Sequence, residues 1–207
     1  MEDILDVYTR KYDENTILIC MDEVPKQLIE ETRTPIPIKR GSITRYDTEY
    51  KRNGTCVIFM FSAPLKGWRR ADVTGQRTRV DFAQQLKKLV TIDFPKAKKI
   101  VLVMDNLNTH SIGSLYKAFT PEESGRLRDK LEIHYTPKHG SWLNMAEIEI
   151  NVLVNHGLKK RVPTINEMKK QVTAWYKERN KTEKKINWRF TTDNARIKLK
   201  RLYPQLQ

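Results

Sequence analysis

Two cysteines in 207 residues are too few for a disulfide scaffold. Cys20 and Cys56 both sit inside apolar, strand-like runs without metal-ligand spacing, which argues against a zinc site and predicts buried thiols in a reducing compartment. Long hydrophobic runs are also missing: none approaches the roughly 18 apolar residues of a membrane span. The opening Met-Glu-Asp-Ile-Leu-Asp lacks the basic and then apolar segments of a secretory leader. No internal repeat or low-complexity segment is present, so the length suits one large domain, or a domain with appendages. Acidic residues are scarce beside basic ones: 25 Asp plus Glu against 39 Lys plus Arg, a net charge of +14. That excess attracts polyanions, most commonly phosphate backbones, but does not by itself favour an enzyme over a ribosomal or chromatin protein.

The apolar residues that are present fall into two periods. Ile17 to Met21, Thr55 to Ser62, Trp68 to Thr74, Ile100 to Met104 and Leu131 to Thr136 read as strands, the second and third antiparallel because their link across Pro64 and Gly67 is so short. Residues 23 to 53 are polar and basic, with Pro25, Pro35, Pro37 and Gly41, and read as an irregular insertion. From Arg79, Phe82, Leu86, Leu89 and Val90 recur at helical spacing to about Asp93, where Pro95 stops the helix. Thr120-Pro121-Glu122-Glu123 and Thr164-Ile165-Asn166-Glu167 are helix starts, and a further helix is predicted from about Asn144 to Asn155. The order predicts an α/β fold: a mixed five-stranded sheet flanked by helices. Residues 1–16 would be a lead-in, 17–160 the sheet domain, and 161–207 a basic helical extension.

Three acids stand out. Asp22 and Asp105 each close an apolar run, where open sheets of this kind gather functional groups. Either alone could be a turn residue bonded to its own backbone. Two at neighbouring strand ends would repel, and a divalent cation would relieve that repulsion. Glu147 lies on the later helix, where Asn144 and Glu147 also have the spacing of a capping box. Glu149 points to the opposite side of that helix, which leaves Glu147 the better ligand candidate.

Met-Asp-Glu at 21 to 23, Met-Asp-Asn-Leu-Asn-Thr-His at 104 to 110, and His-Gly-Ser-Trp-Leu-Asn-Met-Ala-Glu at 139 to 147 resemble the three signature blocks of DDE transposases. They are most similar to the bacterial insertion-sequence branch of the mariner superfamily, as are the Arg52-Asn53-Gly54-Thr55 turn and the tail from Ile186 to Thr192. The resemblance implies a ribonuclease-H-like fold with Asp22, Asp105 and Glu147 as catalytic triad and metal ligands. It implies metal-dependent cleavage and transfer of DNA strands, a cytoplasmic, nucleoid-associated place in a bacterium, and a TA target. Oxygen ligands suit Mg²⁺ or Mn²⁺, and two ions per site would serve an in-line displacement at phosphorus. Another ribonuclease-H-like nuclease, or an inactive DNA-binding remnant, are the alternatives.

Asn106, His110 and Asn144 are candidates for holding water, phosphate or the acids in place. The double-stranded DNA surface is expected at Arg33, Lys39, Arg40, Arg45, Lys51 and Arg52 in the insertion, and at Lys138 and His139 before the catalytic helix. In the tail it is expected at Arg189, Lys198, Lys200 and Arg201, where Trp188 and Phe190 would either stack on bases or dock in the core. Trp142 is read as structural. About 16 residues precede the first strand, too few for the helix-turn-helix modules that such transposases use to recognise their ends. The chain is then the catalytic half of a split reading frame, partnered by a separately encoded helix-turn-helix part, or a truncated or excised piece. Handling two transposon ends implies a homodimer on DNA.

Overall fold

The computed structural model describes residues 1–33, 36, 40–41 and 48–203. Its elements in chain order are α1 (Glu2–Tyr8), β1 (Thr16–Glu31), β2 (Tyr50–Ala63), β3 (Trp68–Thr74), α2 (Arg79–Lys88), β4 (Lys99–Met104), α3 (Leu115–Ala118), α4 (Pro121–Asp129), β5 (Leu131–Tyr135), α5 (Ala146–Val152), α6 (Ile165–Lys181) and α7 (Thr192–Lys198). The strands form one five-stranded sheet in the order β3-β2-β1-β4-β5. β2 is antiparallel to both of its neighbours, whereas β1, β4 and β5 run parallel. This is the mixed sheet that the element order predicts.

Alternation along the strands splits the core in two. Leu18, Cys20, Ile58, Met60, Val101 and Val103 face one layer, which α1, α5, α6 and α7 close through Leu5, Ala146, Met168, Val172 and Ala195. Ile17, Ile19, Met21, Phe59, Phe61, Ile100 and Leu102 face the other, under Phe82, Leu86, Leu115 and Leu127 of α2, α3 and α4. Burial on both faces is why these strands read as continuous apolar runs. Cys20 and Cys56 are free, buried thiols of the first layer. Burial pushes the Cys20 thiol up to about 12.

Several boundaries differ from the sequence reading. Residues 23–31 and 50–54 are not irregular; they continue β1 and β2 as a long antiparallel hairpin, with Lys26 opposite Cys56 and Glu31 opposite Tyr50. Beyond Cys20, β1 has no β4 partner, so Pro25 lies on a free edge, where its missing N–H breaks no ladder. Arg52-Asn53-Gly54-Thr55 is not a turn but an irregularity inside β2: the register shifts opposite Leu28, and Gly54 takes φ +93°.

The helix after Thr78, which is capped by a reciprocal Thr78–Asp81 box, ends at Lys88 and closes in a π-helical turn over Leu89–Asp93. α5 is shorter than predicted and also ends in a π-helical turn, over Leu153–Gly157. The starts at Thr120 and Thr164 form as expected, each hydroxyl accepting from the backbone N–H three residues on. Glu2–Tyr8, where the sequence suggests only a lead-in, is a helix burying Ile4, Leu5, Val7 and Tyr8.

Candidate metal centre and its surroundings

The parallel ladder of β1 and β4 runs from Thr16 opposite Lys99 to Cys20 opposite Val103. Extending it by two residues sets Asp22 level with Asp105, both on the parity of Leu18 and Cys20, which face the layer of α5. Asp22 does not end β1, as the apolar run suggested; it lies where the parallel pairing stops and the hairpin continues, opposite Met60.

α5 is tied to this spot by Asn144, which is buried. Its Nδ2 donates to the Met21 carbonyl at 2.7 Å, and its Oδ1 accepts from the Ala146 N–H at 3.1 Å. The predicted capping box with Glu147 therefore does not form. Asn144 spends its side chain on β1 and on the start of the helix, and Glu147 in the first turn is left for other use. Tyr8 braces the same loop, donating to the Leu143 carbonyl at 2.6 Å.

The acids differ in their electrostatic surroundings. Asp22 is pushed up to about 7, first by burial and then by the charges of Glu23, Asp105 and Glu147, against a hydrogen bond from the Glu23 N–H at 2.8 Å. Asp105 moves the other way: its hydrogen bond to the His110 ring holds it below the ordinary carboxylate range despite partial burial. Among the described residues no cationic side chain pairs with Asp22 or Glu147. Glu149, by contrast, is fully buried between Arg69, at 2.8 Å, and Arg179, at 2.5 Å. The Glu149 carboxylate is thus already taken up by two guanidinium groups.

His110 and Glu23 complete the surroundings. The ring of His110 packs 4.8 Å from that of Phe82. Its Nδ1 bonds Asp105, and its Nε2 lies 3.1 Å from Glu23 Oε2, outside hydrogen-bond alignment. Burial would lower the His110 pKa, but the two carboxylates outweigh it and raise it to about 9. Arg77 Nη1 stands 3.3 Å from the other Glu23 oxygen. Ligating atoms of Glu23, Asp105 and His110 all fall within 4.8 Å of one another. The sequence reading passed over Glu23 as a site residue. Its signal is an acid on the strand parity of Ile17, Ile19 and Met21, which aims it into an apolar layer. Asn106 is exposed.

Of the expected DNA contacts, Arg33, Arg40, Lys51, Arg52, Lys138, His139, Arg189, Lys198, Lys200 and Arg201 are all exposed, while Lys39 and Arg45 lie outside the described residues. Lys51 is 3.6 Å from Glu30, and Arg52 rests over the Tyr50 ring. Trp188 and Phe190 dock rather than project: the Trp188 indole donates to the Phe190 carbonyl at 2.7 Å and packs 5.0 Å from the Tyr8 ring. Trp142 meets Phe190 edge-on and stays 46% exposed. No helix among the described residues is long and apolar enough to cross a membrane.

Two acids stand level past the end of a parallel strand pair of an α/β sheet, and the start of the helix that carries Glu147 is tied to the same spot. A family model described as DDE superfamily endonuclease matches residues 17–169, and the chain belongs to that family. Solved structures of the mariner Mos1 transposase share the fold. The paired end complex with Mn is 14% identical with a TM-score of 0.56, covering 88% of this chain and 54% of that one. The strand transfer complex is 15% identical at 0.59, covering 88% and 54%. The paired end complex with Mg is 16% identical at 0.58, covering 88% and 53%. The fold is therefore ribonuclease-H-like, and the chain spans about half the length of the Mos1 chains it matches. No curated protein matches.

Proposed function

We propose that this chain is the catalytic domain of a transposase of the mariner superfamily's bacterial insertion-sequence branch, cutting and joining DNA strands by metal-dependent phosphoryl transfer. Asp22, Asp105 and Glu147 are its metal ligands. The observation that supports the proposal is geometric: the ladder register sets Asp22 level with Asp105, and Asn144 ties the start of the helix carrying Glu147 to the Met21 carbonyl, one residue before Asp22. A donor set made only of carboxylate oxygens fits Mg²⁺ or Mn²⁺. The Mos1 structures with Mn and with Mg support the same choice.

Held by Asp22, Asp105 and Glu147, two such ions would supply Lewis-acid activation of the attacking oxygen and charge stabilisation of the leaving oxygen of an in-line displacement. The residues prepare that site. The Glu23 N–H orients Asp22, His110 orients Asp105, and Asn144 sets the helix that carries Glu147. The exposed cations of the hairpin and the tail supply phosphate contacts along double-stranded DNA, both transposon ends and target. In this reading residues 17–160 are the catalytic domain and 161–207 a basic extension. The protein works in the bacterial cytoplasm at the nucleoid, as a homodimer on two ends chosen by a separately encoded helix-turn-helix part.

The test incubates the protein, alone and fused to an end-binding module, with Mn²⁺ and labelled DNA carrying candidate terminal repeats, beside Asp105→Asn. Mn²⁺-dependent nicking and strand transfer that Asp105→Asn abolishes is the expected result. Nicking without joining would favour a hydrolytic ribonuclease-H-like nuclease. Equal nicking by both proteins, or none by either, would overturn the catalytic reading.

A further inference from the structure

We propose that Glu23 and His110 form a buried strut whose function is to fix the Asp105 carboxylate in the orientation a metal ion requires, making both of them positioning residues for that site. The inference rests on reading Asp105 as a metal ligand. Three observations lead to it.

First, the strut joins the two faces of the sheet. Glu23 extends from β1 on the parity of Met21, into the layer beneath α2, whereas Asp22 and Asp105 lie on the other parity. His110 closes the gap, bonding Asp105 through Nδ1 and turning Nε2 to within 3.1 Å of Glu23.

Second, the strut is enclosed while its end is open. The side chains of His110 and Glu23 are 1% and 2% exposed, and that of Asp105 is 41% exposed. A pair of polar groups shut inside an apolar layer is a poor choice for stability alone, because an apolar pair of the same shape would avoid the desolvation.

Third, His110 is held from outside the pair through both its backbone and its ring. The Tyr135 hydroxyl donates to the His110 carbonyl at 2.9 Å, the His110 N–H donates to the Leu107 carbonyl at 2.8 Å, and Phe82 packs against the ring. A loop pinned at these points fixes where the His110 ring stands beside Asp105. Groups that hydrogen-bond a ligating carboxylate commonly change metal affinity by 10–100-fold when removed.

The experiment measures Mn²⁺ binding to the whole chain by the spin-resonance signal of free Mn²⁺, and the Mn²⁺ dependence of DNA nicking, for Glu23→Ala, His110→Gln and Asp105→Asn. Glu23→Ala and His110→Gln should weaken Mn²⁺ binding about tenfold and raise the Mn²⁺ needed for half-maximal nicking by the same factor. The rate at saturating Mn²⁺ should stay within about threefold of the parent, a split that general destabilisation would not give. Glu23→Gln, which keeps an oxygen facing the ring, should bind close to the parent. If Glu23→Ala does not fold, His110→Gln decides, since glutamine cannot span both carboxylates. Parental Mn²⁺ binding in a folded His110→Gln variant overturns the strut, provided Asp105→Asn abolishes binding and nicking. If Asp105→Asn leaves both intact, the metal-ligand reading itself fails.

Discussion

Asn144 is the only link of its kind between α5 and β1 among the described residues, its side-chain amide donating to the Met21 carbonyl at 2.7 Å, one residue before Asp22. The same side chain accepts from the Ala146 N–H at the start of the helix that bears Glu147. One buried amide thereby sets the separation between the strand and helix that supply two of the proposed ligands.

Asn144→Ala leaves the Met21 carbonyl and the Ala146 N–H unsatisfied in a closed interior. The expected loss is about 2 kcal/mol of stability, seen as a fall of several degrees in Tm. Nicking at a temperature where the variant is fully folded should fall by more than tenfold, because a misplacement of about 1 Å at a reacting centre can cost roughly 100-fold. Parental nicking by the folded variant would show that Asn144 serves the core alone.

Asp22 should cost the metal-free protein stability at neutral pH. Its folded pKa of about 7 lies above the unfolded carboxylate value, so between those values the folded state holds a proton that the unfolded state has released. Stability contributed there falls as pH rises. Asp22→Asn keeps an oxygen for the Glu23 N–H and carries no charge. In EDTA at pH 8 it should be more stable than the parent by on the order of 1–3 kcal/mol, and the gap should close by pH 4. Mn²⁺ should raise the Tm of the parent and leave that of the variant unmoved. Thermal unfolding at both pH values checks this; a variant that is less stable at pH 8 would contradict it.

Glu149 has the opposite sign. Burial would raise its pKa, but the Arg179 and Arg69 guanidinium groups hold it below the ordinary glutamate value. Its contribution is complete above the unfolded pKa and is lost as pH falls through the folded one. Glu149→Ala strands two guanidinium groups, one of them fully buried, and should destabilise by about 3–5 kcal/mol at pH 7. The difference from the parent should shrink below about pH 4. Denaturant unfolding at pH 7 and pH 3 reads both numbers, and a pH-independent difference would show that the ion pairs contribute nothing.

Much of this fold was legible because both sheet faces are buried. Ile17 to Met21 and Ile100 to Met104 are uninterrupted apolar runs, and the threonines at 120 and 164 stand as N-cap residues three positions before an acid. What escaped was structure stabilised at a distance. Residues 23–31 carry Pro25 and four charged side chains (Glu23, Lys26, Glu30 and Glu31), and they form a strand because β2 supplies the ladder and Val162 accepts from the Ile29 N–H at 2.9 Å. Asp22 and Asp105 could be picked from the strand pattern, but the partnership of Glu23 with His110 could not. It joins residues 87 positions apart, whose meeting depends on how α2 covers the sheet. The docking of Trp188 was equally hidden, since a basic, aromatic tail has the same composition whether its rings face DNA or Tyr8.

Gly67 shows how that tail is fixed. It sits at φ +75° in the β2–β3 link, and a Cβ built there would run into the backbone of Glu183, itself at φ +41°. Nearby, the Ile186 N–H donates to the Pro64 carbonyl at 3.0 Å, and the Arg69 guanidinium donates to the Lys184 carbonyl. The contact is therefore backbone against backbone, with no flexible side chain to yield. Gly54 offers an internal control: it has φ +93° but nothing within 4 Å of a Cβ. Gly54→Ala should lose only the conformational term, about 1 kcal/mol, whereas Gly67→Ala should lose more than twice that, because the 183–186 segment must also move. Limited proteolysis should then cut Gly67→Ala between Lys181 and Lys185 faster than the parent, with Gly54→Ala unchanged there. Equal Tm losses and equal cleavage for the two variants would show that residues 181–186 are held to the sheet by other contacts.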